Sequence, residues 1–353
     1  MGLKDAVPFV GMVMSQFAQV GLIIISKEVL SSGMTNFSFV FYSNAIASLI
    51  LLPSSFLIHR SDRPPLTLSL VSGFFLLGVL GCLAQLTGYA GIQYTSASFA
   101  SAMLNLIPGF TFALAVILRM EKLNFRSSST LAKCIGTIVS IIGAFIMTLY
   151  KGPQILRTPS YSKFHHQHVL LQQSNWIIGG LFLAVDCAVS SAFLIVQALI
   201  LERYPAELII VFFYCFFAAI LSAVVSLISD RDLSAWALQP SMRLIAVMYS
   251  GIIGSAFQVS VNTWCVHQRG PLFVAMFHPL GIVISAAFGI IFLGDNIYLG
   301  SLVGSIVIVV GFYSVIWGKA KEEKIVGNNE IRRLGSPSEK APLVQINIEE
   351  TSV

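Results

Sequence analysis

The chain has 353 residues, 56% of them hydrophobic and only 10% charged, with a formal net charge of +5 and a mean hydropathy of +0.83. Soluble domains carry roughly 25% charged residues, so this composition excludes an ordinary water-soluble fold. The small basic excess reads as orientation in a membrane, with contact to anionic lipid, and not as a nucleic-acid footprint.

Ten apolar runs of about 20 residues are predicted, each long enough for a hydrocarbon core of about 30 Å. Span 1 (8–26) carries Gln16 and Gln19; it is too long, and too closely followed by further spans, for a cleaved signal peptide. Span 2 (36–58) opens on the sequon Asn36-Phe-Ser38 and contains Asn44. Span 3 (70–91) holds Gly78-x-x-Gly81-x-x-x-Gln85 and Tyr89, span 4 (96–118) holds Asn105 and Pro108, and span 5 (131–149) holds Gly136 and Gly143. Residues 151–175 read as a linker rich in Pro, Ser and Gln. Its His165, His166 and His168 have no Cys or carboxylate beside them, so no metal site is expected. Span 6 (176–198) carries Asp186 and Gln197, and span 7 covers 206–228. Span 8 (244–266) repeats the glycine motif as Gly251-x-x-Gly254-x-x-x-Gln258 and adds Asn262 and Trp264. Span 9 (271–293) contains His278 and Pro279, and span 10 (297–317) contains Gly300-x-x-x-Gly304. Residues 319–353 are polar and read as a tail without order. Within it, Glu339-Lys-Ala-Pro-Leu343-Val344 resembles an acidic di-leucine sorting signal.

The two halves repeat each other. The glycine–glutamine motif, Ala102-Met103 against Ala275-Met276, and Gly136-Thr-Ile-Val-Ser-Ile-Ile-Gly143 against Gly304-Ser-Ile-Val-Ile-Val-Val-Gly311 recur in the same order. With the N-terminus cytoplasmic, fifteen Lys and Arg fall inside and six outside, so both termini are expected in the cytoplasm. Five spans per half is an odd number, so the halves enter from opposite faces. Inverted repeats are a common build of secondary transporters, whose site lies between the repeats near the midplane.

Polar groups inside lipid cost free energy unless paired or wetted, which makes them informative. Asp186 is the acidic residue near the middle of a span. It is read as a carrier of a proton, a partner for an ammonium group, or a structural carboxyl bonded to Ser190 one turn on. Gln85 and Gln258 either contact solute or join helices across a small-residue packing face. Asn44, Asn105 and Asn262 are amides of the same kind. Pro108 and Pro279 interrupt corresponding helices and free the carbonyls of Leu104 and Ala275; paired interruptions of this sort point to a transport site. His278 titrates, bonds solute or serves as a buried donor, while Tyr89 and Trp264 stack on a ligand or pack in the core. Gly300-x-x-x-Gly304 fits helix packing within one chain or in a homodimer. The sequence has no phosphate-binding Gly-Lys-Ser/Thr loop, no His-Glu-x-x-His and no cofactor motif. ATP-driven movement and a membrane enzyme are therefore set aside, and a non-transporting receptor or scaffold stands as the other class.

Several stretches stand out together: Gln93-Tyr-Thr-Ser-Ala-Ser-Phe-Ala-Ser-Ala-Met103, Asn105-Leu-Ile-Pro108, Arg119-Met-Glu-Lys122, Leu149-Tyr-Lys-Gly-Pro153 and Tyr204-Pro205. Arg269-Gly-Pro271, Met276-Phe-His-Pro279-Leu, Leu299-Gly-Ser301 and Trp317-Gly-Lys319 extend the set. On these the chain resembles the plant nodulin-21-like (Walls-Are-Thin-related) transporters, EamA-domain members of the drug/metabolite transporter superfamily. The resemblance covers nearly all of 8–320. It implies an all-α membrane protein of ten helices in two inverted five-helix EamA repeats: 1–150, a linker at 151–175, 176–318, and a tail at 319–353. It also implies alternating-access movement of amino acids or related small organic solutes, bidirectional or outward, with another metabolite such as auxin as the alternative. Spans 1, 3, 4, 6, 8 and 9 would surround the cavity. The expected contacts are Gln85, Tyr89, Asn105, Asp186, Gln258, Asn262 and His278, with helix breaks at Pro108 and Pro279. Asp186 and His278 are the candidates for proton coupling. The plasma membrane is the family's default location and the vacuolar membrane comes second. Two departures bear on substrate choice: Leu86-Thr-Gly88 precede Tyr89, and span 6 reads Asp186-Cys-Ala-Val-Ser190-Ser191 where the family often has Trp.

Overall fold

The computed structural model describes residues 3–31, 33–58, 67–95, 100, 103–120, 128–150, 153–156, 169–229, 236, 238, 241–292 and 297–334. The linker histidines His165, His166 and His168, and the motif at 339–344, lie outside them. The first half contains α1 (Leu3–Ser31), α2 (Asn36–Ile58), α3 (Leu68–Tyr94), α4 (Leu106–Ile117) and α5 (Ser128–Leu149). A short strand β1 (Gln154–Leu156) leads to α6 (Val169–Arg203) and α7 (Glu207–Ser229). Then come α8 (Ser241–Tyr249), a π-helical segment (Ser250–Gln258), α9 (Val259–Arg269), α10 (Pro271–Ala275) and α11 (His278–Phe292). Strand β2 (Ile297–Tyr298) and α12 (Leu299–Leu334) close the described chain.

Among the described residues, six helical stretches are long and apolar enough to cross a bilayer: Ala6–Leu30, Asn36–Ser55, Leu68–Tyr94, Ile177–Arg203, Glu207–Ile228 and Met242–Arg269. Four shorter apolar ones, Leu106–Ile117, Ser128–Gly143, Pro271–Ser285 and Ile306–Gly318, fall where spans 4, 5, 9 and 10 were predicted. Helices suit such sequences because every backbone N–H and C=O must be satisfied where water is absent. Side chains such as Leu49, Ile138, Leu181 and Val310 are exposed on the outside of the bundle, as a lipid-facing surface requires.

The strongest helix pairing is α5 against α12; α3 packs on α6 and α7, α2 on α7 and the π-helical segment, and α1 on α9 and α11. Glycines set these distances. A Cβ on Gly78 would fall 2.5 Å from Phe217 Cβ of α7, and one on Gly251 would fall 2.8 Å from Ile46 Cβ of α2. The repeated motif thus does the same packing task twice, against a different neighbour in each half. Gly300 and Gly304 are buried on α12, whose main partner α5 belongs to the same chain. Between α9 and α10 the chain turns at Gly270, whose φ of 84° favours glycine, and Pro271 then starts α10 at its first turn.

Three features depart from the sequence expectation. β1 and β2 add a small antiparallel ladder, Gln154 opposite Tyr298 and Leu156 opposite Ile297, to the otherwise all-helical fold. α6 begins at Val169, inside the stretch read as linker. α12 continues through 319–334, read as tail, because Lys, Glu and Ile are adequate helix formers and extend a helix already nucleated within the bundle.

Candidate functional site

A cavity of about 210 Å³ lies among the helices, lined by residues of α1, α3, α6, α7, the π-helical segment, α9, α10 and α11, and by Leu104 and Ile107 around the start of α4. Six of the seven residues singled out from sequence meet there: Gln85, Tyr89, Asp186, Gln258, Asn262 and His278. Gln19, Ser190, Gln197, Tyr214 and Ser255 add polar groups to the same wall.

The amides are positioned by chains of hydrogen bonds. Asn44, fully buried on α2, donates to Val40 O at 2.9 Å and to Gln85 Oε1 at 2.8 Å. Because Asn44 Nδ2 is the donor, Gln85 must present its oxygen to Asn44 and its Nε2 to Tyr214 Oη, at 2.5 Å. Asn44 therefore stands behind Gln85 and outside the cavity wall. The symmetry mate Gln258 donates to Gln19 Oε1 at 2.6 Å, and Ser15 Oγ donates to Asn262 Oδ1 at 2.6 Å. Gln197 Nε2 donates to Thr263 Oγ1 at 2.9 Å, while that hydroxyl donates to Val259 O at 2.6 Å. This order fixes the Gln197 amide with its Oε1 unmatched.

Asp186 is 7% exposed and takes a hydrogen bond on Oδ1 from Ser190 Oγ at 3.0 Å. The local pairing expected from the one-turn spacing is therefore present. Gly88 of α3 stands opposite: a Cβ there would lie 3.0 Å from Asp186 Oδ2. Glycine at 88 leaves this carboxylate oxygen facing open space. Gln197 and His278 belong to the cavity wall, and each has a buried polar atom, Gln197 Oε1 and His278 Nδ1, with no hydrogen-bond partner within the protein. Buried polar atoms are ordinarily paired, so these two are positioned for water or solute.

Asn105 stands apart from the other six. It lines a void of about 10 Å³ with Pro108, Thr137, Ser140, Met276 and Pro279, too small for a solute. The two proline breaks thus meet each other next to α5 and α12. The helix interruptions are short turns, Leu104-Asn105 before α4 and Met276-Phe277 before α11, and each proline sits in the first turn of the helix that follows. The Leu104 carbonyl, expected to be free, accepts from Ile107 N at 3.1 Å, because the turn tightens to an i→i+3 bond. Trp264 packs against the hydrophobic core and is not on the cavity wall.

Tyr214 and the π-helical segment were not foreseen. Tyr214 sits in a run of Phe and Tyr that gives no sign of which ring turns inward. The segment Ser250–Gln258 reads as an ordinary amphipathic helix, yet its i→i+5 bonding carries the second glycine motif. A glycine-rich stretch that must carry Gln258 to the cavity was the available signal.

A multi-helix apolar bundle enclosing a largely apolar cavity with a few polar groups in its wall is a build shared by multi-pass membrane transporters. Residues 9–149 match the EamA-like transporter family. A WAT1-related protein of Arabidopsis thaliana is 43% identical over 351 residues, covering 98% of this chain and 94% of that protein. A second is 42% identical with 97% and 96% covered, and a third is 42% identical with 93% of each covered. A protein of known crystal structure shares the fold, with a TM-score of 0.59 at 15% identity, over 94% of this chain and 98% of that one. The chain belongs to the WAT1-related, nodulin-21-like EamA-domain transporters.

Proposed function

We propose that the chain is a secondary transporter or facilitator that moves amino acids or related small organic solutes by alternating access, in both directions or outward. The carrying observation is that the cavity draws polar groups from both halves: Gln19, Gln85 and Tyr89 from the first, and Asp186, Gln258, Asn262 and His278 from the second. In this reading residues 1–150 and 176–318 are inverted five-helix repeats. The reciprocal use of Gly78 and Gly251 and the α5–α12 pairing support that symmetry. Solute held between repeats is exposed to either side as one rocks against the other. The charge bias of the loops supports cytoplasmic termini, and the family's habit favours the plasma membrane.

The test is uptake of radiolabelled amino acids by the purified full chain in proteoliposomes. The expected result is saturable flux without ATP, lowered by Gln85→Leu and by Asn262→Leu in protein of unchanged thermal stability. Protein that stays folded yet shows no saturable flux of any amino acid would overturn the reading. Fluorescence localisation of the tagged chain tests the membrane assignment, and loss of labelling at cysteines placed at 85, 262 and 278 would contradict a wetted path.

A further inference from the structure

The charge of the cavity wall is one-sided. Among its described lining residues Asp186 is the sole acid, and neither Lys nor Arg is present. Asp186 Oδ2 faces the gap left by Gly88, and Gln197 Oε1 is buried without a protein partner, its Nε2 being taken by Thr263. Asp186, Ser190 and Gln197, spaced by four and seven residues, share one stripe of α6 that looks into the cavity. Around them stand the rings of Tyr89, Phe193 and Tyr214, the last two 5.1 Å apart between centroids, whose faces attract cations.

A carboxylate in a wall of low dielectric is costly unless a counter-charge meets it. No cation in the described wall does so, and Ser190 supplies only a neutral hydroxyl. Resting on the transport reading above, we propose that Asp186 is the counter-ion for a protonated amine on the solute, with Gln197 Oε1 as a further acceptor along the same stripe. The cavity then takes amines and zwitterions and rejects solutes whose sole charge is negative. A solute carboxylate has to be served by neutral donors, such as the Tyr214 hydroxyl, whose oxygen already accepts from Gln85. It therefore adds less to recognition than the amine does.

The discriminating probes are ethanolamine, serine and glycerate. Serine has both charges, ethanolamine lacks the carboxylate, and glycerate has a hydroxyl in place of the amine. Saturable uptake into proteoliposomes is measured for each with the wild-type chain and with Asp186→Asn, Asp186→Glu and Gln197→Leu. Ethanolamine and serine are expected to move and glycerate to be excluded. Asp186→Asn should lower kcat/KM for ethanolamine by about tenfold or more, the scale of a lost charge-assisted hydrogen bond, while Asp186→Glu keeps most of it. Gln197→Leu should weaken ethanolamine uptake through KM. Transport of glycerate as good as that of serine, or an ethanolamine rate unchanged in folded Asp186→Asn, would overturn the assignment while leaving the transport reading in place. Absence of saturable uptake of all three would overturn the assignment, and absence of saturable uptake of every other amino acid as well would overturn both. Should Asp186→Asn not fold, the wild-type ranking of the three solutes decides alone.

Discussion

Gly136 of α5 and Gly311 of α12 meet backbone to backbone: a Cβ on Gly136 would lie 2.6 Å from Gly311 O, and one on Gly311 would lie 2.7 Å from Gly136 O. Ser140 Oγ, one turn along α5, reaches Ile308 O at 3.4 Å, so the approach of the glycines also sets a polar contact. Helices in lipid associate through such close packing because apolar burial alone does not distinguish helix from lipid. Gly136→Leu and Gly311→Leu are each expected to cost about 1–3 kcal/mol by overpacking. The double variant should cost less than their sum, since both disrupt one contact. Gly109→Ala serves as the control: its Cβ would meet only Ile141 Cδ1, at 3.4 Å, and alanine suits a helix. Thermal unfolding in detergent checks all four, with Gly109→Ala at or above wild type.

The hydrogen-bond chain from Val40 through Asn44 and Gln85 to Tyr214 joins three helices, and its last link can be removed alone. Tyr214→Phe leaves Gln85 Nε2 without its acceptor, at a cost of about 1 kcal/mol if water replaces the phenol. Flux should fall several-fold with little change in melting temperature. The signature is non-additivity: Gln85→Leu with Tyr214→Phe should lose no more flux than Gln85→Leu alone.

Much of this arrangement was legible in the sequence because lipid makes the pattern strict. Apolar length located the helices, with 36–58 matching α2 at both ends. The rarity of polar groups in spans picked out six residues that share the cavity. Failures came where tertiary packing chose among local options. Asn105 looks equivalent to Asn262 as an intramembrane amide, but the turn before α4 directs it into the void beside the prolines. The freed carbonyl at Leu104 was a correct deduction for a continuous α-helix, and the i→i+3 turn removed its premise. Tyr214 and the π-helical segment depend on how neighbouring helices rotate, which hydropathy does not encode. The extension of α12 to Leu334 shows a polar stretch helical because it continues an anchored helix.

Lys27 near the end of α1 donates to Ile92 O at 2.7 Å, Gln93 O at 3.2 Å and Thr95 O at 2.8 Å. Ile92 and Gln93 belong to the last turn of α3 and Thr95 caps it, where carbonyls lack intrahelical partners and a cation is favoured by the helix dipole. Lys27→Met should destabilise the bundle by about 1–2 kcal/mol, the partial exposure of the ammonium keeping the figure low. Lys27→Arg should recover part of it. Hydrogen exchange checks the location: protection should fall at the C-terminal end of α3 and stay unchanged in α5 and α12.

Gly88 and Gly91 lie three residues apart on α3 and separate the cavity from its scaffold. A Cβ on Gly91 would fall 2.5 Å from Leu183 Cγ and 3.2 Å from Gly179 O, deep in the α3–α6 contact. The three atoms nearest a Cβ on Gly88 all belong to the Asp186 carboxyl, Oδ2 at 3.0 Å, and both residues line the cavity. Gly91→Val is therefore expected to lower stability by about 1–3 kcal/mol through overpacking. Gly88→Val should lower the melting temperature less than Gly91→Val, because its nearest neighbour is a side-chain carboxyl on the cavity wall and not packed scaffold, and it should abolish most flux by covering that carboxylate. Gly88→Ala should fall between, with a raised KM as Asp186 shifts by a few tenths of an ångström. Melting curves and proteoliposome uptake on the same three preparations check this. Equal loss of stability at both positions would mean that Gly88 is a packing glycine and that the carboxylate does not face the transported solute.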